Sequence, residues 1–216
     1  MKYVIQIVLW VVIAILGYLL FNSVYGEVKF NELKEVRYQK AVNKLKDIQS
    51  AQLAHKQVTG KFAKTFDDLA KFIDTAEYTL TQRRDTTVLD EEMTRRYRVD
   101  TYKEVVLIDT LGTKPVKDSL FAGSDTYKNL GSLTIKEKNI PIKMDAGTVL
   151  KSDMPIPVFE ASIAKSDILY DQPKDYVSKE KQVISVDEIN GAYIVVGSMT
   201  DIKTVGNWPT SYGKND

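Results

Sequence analysis

YVIQIVLWVVIAILGYLLF, residues 3–21, is followed after a short joint (NSVYG, residues 22–26) by EVKFNELKEVRYQKAVNKLKDIQSAQLAHKQ, residues 27–57. The first stretch is apolar throughout except for Gln6 and contains no Lys, Arg, Asp or Glu. As a helix, a run of that length reaches about 28 Å, close to the thickness of a bilayer core. Tyr3 stands at one end, and Tyr18 and Tyr25 at the other, where amphipathic rings favour the interface. The expectation is a transmembrane anchor over residues 1–22. A cleaved signal peptide is the competing reading. It would need a basic leader, a shorter apolar core and a small-residue exit, whereas here only Lys2 precedes the run and Tyr25 sits in the one site that can be drawn, Ser23–Gly26. The anchor is therefore expected to stay on the mature protein. Gln6 reads as a neutral amide tolerated near the membrane edge.

The second stretch changes period. Phe30, Leu33, Tyr38, Ala41, Val42, Leu45, Ile48 and Gln52, with Leu53 beside it, recur in steps of three and four, the pattern of an amphipathic helix. Neither Pro nor Gly occurs between Glu27 and Val58, so anchor and amphipathic helix form either one rod or two rods hinged near residues 22–26. Gly60 suits the left-handed position that ends a helix. In KFAKTFDDLAKFI (residues 61–73), Thr65 reads as an N-cap, Asp67 and Asp68 complement the helix dipole, and Leu69, Phe72 and Ile73 form a buried face. Residues 23–75 are thus a helical stalk with a short second helix.

Residues 76–216 read as a β-rich soluble domain. The charged stretch 85–98 fits a short helix or a solvated hairpin arm, and EVVLID (104–109) a strand. Further strands are expected in SLTIKE (132–137), IPIKM (140–144), PVFEASI (157–163), KQVISV (181–186) and AYIVVGS (192–198), where β-branched residues alternate between turn formers. Asn190-Gly191 signals a tight turn, Pro155 and Pro157 mark a strand start or an edge, and the tail from Thr204 reads as irregular apart from Trp208. The fold class is α+β: an N-terminal transmembrane helix continuing into an amphipathic helix, packed on a C-terminal antiparallel sheet domain.

Composition removes several functions. Thirty basic and 29 acidic residues leave a net charge of +1, without the basic face that nucleic acid requires. No Cys is present, so thiolate chemistry and disulfides are excluded, and one His, His55, cannot supply a zinc site needing two. Ser162-Ile163-Ala164-Lys165 matches the Ser-x-x-Lys nucleophile motif, but follows a strand-like segment without the companion motifs. His55 reads as a cap partner or packed ring at the helix end. Asp90-Glu91-Glu92 and Asp67-Asp68 lack the alternating oxygens of a calcium loop. No catalytic residue, metal or cofactor is expected.

From Ala41 to Ile73 the chain resembles the type IV pilin and type II secretion pseudopilin class, in which a membrane helix runs on as an amphipathic helix packed on a small antiparallel sheet. The resemblance is carried by Ala51–His55, Gly60-Lys61-Phe62, and Thr65 with Leu69. The chain departs from that class in having no Gly before the apolar run and no acid within it. The resemblance implies a non-enzymatic assembly subunit of a bacterial secretion, pilus or motility machine, in the inner membrane with a periplasmic body. Lys29, Lys34, Arg37 and Lys40, counted by the positive-inside rule, point the body inward instead. The expected partners are membrane lipid and other envelope subunits or copies of the chain. Phe30, Leu33, Val42, Leu45, Ile48 and Leu53 are the expected packing residues of the stalk. A membrane-tethered cell-wall enzyme and a ligand- or peptide-binding sensor are the alternatives.

Overall fold

The structure, a computed structural model, describes residues 2–213; the ends of the expected anchor and tail segments, Met1 and residues 214–216, lie outside it. Helix α1 runs unbroken from Lys2 to Thr59, about 87 Å at 1.5 Å per residue. Of the two arrangements open at the joint, one rod is the one formed. Gly26 stays helical, and its missing side chain lets Tyr176 approach: a Cβ there would stand 3.3 Å from the Tyr176 hydroxyl.

The rod has two halves of different character. From Tyr3 to Phe21 every side chain is exposed, and this is the one helix among the described residues long and apolar enough to cross a membrane. From Phe30 onward the helix enters the core, where Phe30, Tyr38, Ala41, Val42, Leu45, Ile48, Ala51 and Ala54 are buried. It stops at Gly60, whose φ of +77° suits a residue without Cβ and whose N–H closes on the Lys56 carbonyl. Gln52, fully buried, then grips the returning chain: its Nε2 donates to the Ala63 carbonyl (2.8 Å) and its Oε1 accepts from the Ala63 N–H (2.9 Å). Phe62 tucks against Phe159 at 4.7 Å. Helix α2 (Phe66–Thr75) follows, capped by Thr65 and burying Leu69, Phe72 and Ile73.

Strands β1 (Glu77–Leu89) and β2 (Tyr102–Pro115) form a two-stranded antiparallel arm that pairs with no other strand among the described residues, with a bulge at Leu80/Thr81 and helix α3 (Glu91–Tyr97) at its tip. Both readings of residues 85–98 are realised, since the stretch supplies the end of β1 and then a helix. Helix α4 (Val116–Phe121) returns the chain to the core. The hairpin β3 (Ser132–Ile135)–β4 (Lys138–Pro141) precedes the sheet β5 (Lys143–Lys151)–β6 (Met154–Ala164)–β7 (Tyr193–Gly197), antiparallel throughout. Helices α5 (Lys165–Ile168) and α6 (Lys174–Lys181) lie between β6 and β7. The inner face of this sheet, including Ala146, Phe159, Ala161, Ile163, Ile194 and Val196, meets α1 and α2 in one apolar cluster. Residues 30–75 therefore share a core with 116–196, and the arm and the first half of α1 stand outside it. Pro155 and Pro157 fall in the half of β6 that pairs with β5 alone, so their missing N–H groups disrupt no second ladder.

One expectation is corrected. KQVISV (181–186) is no strand. Its backbone leaves α6 and forms an exposed loop closed by Gly191 N–H to the Val183 carbonyl and Ser185 N–H to the Asn190 side chain. The β-branched run finds no place on β7, which pairs with β6 on one edge and is bridged on the other by residues 205–207 of the tail. Asn190-Gly191 accordingly closes this loop, with Gly191 at φ +79°, instead of joining two strands. Leu53 is exposed (41 %), one step round the helix from buried Gln52. The irregular tail is tied down by a Val196–Gly206 bridge, by Gln49 donating to the Thr204 carbonyl, and by Trp208 lying over Gly206.

Candidate functional site

The strongest polar feature lies where α1, α5 and α6 meet. Lys165 is fully buried and donates to the carbonyls of Glu180 (2.9 Å) and Ile189 (2.6 Å) and to the Glu180 carboxylate (3.3 Å). Lys34, on α1, bonds the same carboxylate at 3.1 Å and Glu188 at 3.2 Å. Burial pushes the Lys165 ammonium below its ordinary range against the pull of Glu180. At Lys34 burial works in the same direction, but two carboxylates outweigh it and hold the group above its ordinary value. Tyr38 lies beneath Lys165, its ring 5.6 Å from Nζ, with its buried hydroxyl lacking a hydrogen-bond partner.

One turn along α1, Arg37 grips Asp171 with two bonds (2.6 and 2.9 Å) and the Ile168 carbonyl with a third (2.8 Å), and Lys136 adds 2.6 Å to the same carboxylate. The Arg37 bonds, seconded by Lys136, hold the Asp171 carboxyl far below the usual carboxylate range. Both clusters join α1 to the segment between β6 and β7. Every charge in them is matched by a partner, the signature of a structural clamp.

The chemistry weighed on the sequence resolves into structural roles. Ser162 lies in β6, paired across to Lys143 and Val195, and Lys165 begins α5 and turns to Glu180. The helix-borne Ser-x-x-Lys geometry is not formed. His55 Nδ1 lies 2.6 Å from the Lys61 carbonyl, so that nitrogen carries the proton, and its ring meets the edge of Phe72 at 4.7 Å. It is both cap partner and packed ring. Asp90 caps α3 through Met93 N–H, with Glu91 and Glu92 in the first turn, and Thr65 and Asp68 cap α2.

Of the stalk residues, Phe30, Val42, Leu45 and Ile48 are buried within the chain's own body, Leu33 packs at its margin, and Leu53 faces outward. What remains for a partner is different. The apolar half of α1 is bare. At its upper boundary Phe21 stacks on Tyr25 (5.5 Å) and Lys29 lies over the Tyr25 ring (4.5 Å), an aromatic–basic boundary of the kind found at membrane surfaces. On one flank of α1 a groove is floored by Leu33, Val36 and Ile135 and edged by Lys29, Lys40 and Lys136. On the other flank the 183–191 loop carries Ile184 and Val186 at 94 % and 92 % exposure. Neither feature has a marked sequence signal, because each sets α1 beside a segment about a hundred or more residues away.

No known protein family, no curated protein and no solved structure matches this chain.

Proposed function

We propose that the protein is a non-enzymatic structural subunit of a bacterial envelope assembly, held in the inner membrane by residues 3–21 with its body in the periplasm, in the manner of pilin-like components of secretion, pilus or motility machinery. The observation that supports this most is the continuity of α1. The exposed apolar half and the core-forming half are one helix without a hinge, so the body is held at a set height and orientation instead of swinging on a tether. The two ionic clamps reinforce that arrangement at Lys34 and Arg37. The exposed apolar surface and length of that helix support a lipid environment for it.

The test is extraction in mild detergent followed by affinity purification of the full chain. Recovery in a stoichiometric assembly, with other envelope proteins or as a multimer, is the expected result; a monomer that carries no partner overturns the reading. Labelling of Ser50→Cys by a membrane-impermeant maleimide in intact spheroplasts tests the orientation, with labelling expected.

A further inference from the structure

The two flanks of α1 are complementary to each other. At about 100° per residue, the groove positions (Lys29, Leu33, Val36, Lys40) and the positions beside the 183–191 loop (Asn31, Glu35) are roughly 150° apart around the helix, on either side of its core-facing stripe. The groove is basic on balance: Lys29, Arg37, Lys40 and Lys136 against Glu32 and against Asp171, which is clamped between Arg37 and Lys136. The other flank is acidic: Glu35, Asp187 and Glu188 against Lys34. Each flank also shows apolar surface to water, Val36 (59 % exposed) in the groove, and Ile184 and Val186 on the loop. Both lie at the same level of α1, within about one helical turn.

From these we propose that the acidic, apolar-tipped loop of one copy docks in the basic groove of a second copy standing beside it in the same membrane. The inference rests on the assembly-subunit reading. Copies anchored by parallel helices differ by rotation and lateral displacement but share one height, the condition the two flanks satisfy. A contact between different surfaces is heterologous, so it continues into rings or rows and does not stop at pairs. Lipid is the poorer occupant for the loop. Lys34, to which the loop is tied through Glu188, stands about 20 Å along the helix from Phe21, beyond a headgroup layer of roughly 5–8 Å.

The absence of Cys makes the test direct. Val36→Cys and Ile184→Cys are placed together in the full chain, in native membranes, and treated with a short bismaleimide. A ladder extending beyond dimers is expected, at least ten-fold above that of either single variant. Co-expression of the two single variants should give a dimer and no higher species. Lys40→Glu or Asp187→Lys should each reduce the ladder at least five-fold, and the two together should restore it. Cross-linking of Val36→Cys to itself, a ladder no stronger than that of Val36→Cys with Leu150→Cys near the end of β5, or failure of the double reversal to restore it overturns the proposal. Recovery of a hetero-complex without the 36–184 ladder would leave the assembly role standing and sink this contact, whereas a partnerless monomer would sink both.

Discussion

Lys165 shows how one residue type in one motif takes opposite meanings. On the sequence it stands three residues after Ser162, as a catalytic lysine would; in the fold it is a buried cation held by one carboxylate and two carbonyls. Removing it leaves Glu180 short of a partner and opens a void. Lys165→Ala is expected to cost about 3–5 kcal/mol in chemical denaturation, while Ser162→Ala, at a half-buried strand position without a hydrogen bond to lose, costs under about 1 kcal/mol. Equal losses would mean that the clamp is not what holds α6 to α1. Asp171 gives the pH dependence. Its carboxyl is depressed in the folded state, so its contribution to stability is present above the unfolded carboxylate value of about 3.9 and is lost as pH falls below it toward the folded value. Thermal melts between pH 7 and pH 2.5 are expected to show a loss of stability below pH 4 that is smaller in Asp171→Asn. The variant should already be weakened at pH 7. An unchanged acid limb would assign acid sensitivity to other carboxylates.

At the scale of elements, α1 and the arm carry opposite lessons. The amphipathic half of α1 is legible because its partner is a single broad surface, and burial follows the 3.6-residue period from Phe30 to Gln52. Leu53, apolar but one position off the stripe, lies outside the chain's own core. The arm is legible only as a choice between helix and hairpin, because strands without a buried face show no clean alternation. Its base is narrow: the Val116 N–H donates to the Ala76 carbonyl at 3.0 Å, and Leu80 pairs with Gly112. Replacing residues 81–111 by Asn-Gly should therefore leave the body folded, with its melting temperature within about 5 °C of the full chain. A larger drop would mean that the arm supports the core. The β-branched KQVISV segment shows the converse. Propensity marks a strand, but strand propensity is realised only where a neighbouring strand offers backbone groups, and the outer edge of β7 is taken by residues 205–207 of the tail.

At the scale of the molecule, the core begins at Phe30, and among the described side chains none before it is buried. Residues 27–213 expressed alone are expected to stay in solution without detergent and unfold in one cooperative transition, whereas the full chain requires detergent. A fragment that aggregates would show that the apolar half has a folding role as well as a membrane one. By itself the sequence determined the apolar run, the amphipathic helix after it, the Gly60–Thr65 turn and the capped α2, because each rests on periodicity or backbone chemistry within a few residues. Most of the strands follow for the same reason. Only the tertiary structure decided that the rod has no hinge, that Lys34, Arg37 and Lys165 are buried and matched, and that an acidic loop and a basic groove flank one helix at one height. Those outcomes depend on pairings across more than a hundred residues, such as Gly26 with Tyr176 and Lys34 with Glu180, and no local pattern encodes which distant group will arrive to meet a charge or fill a gap.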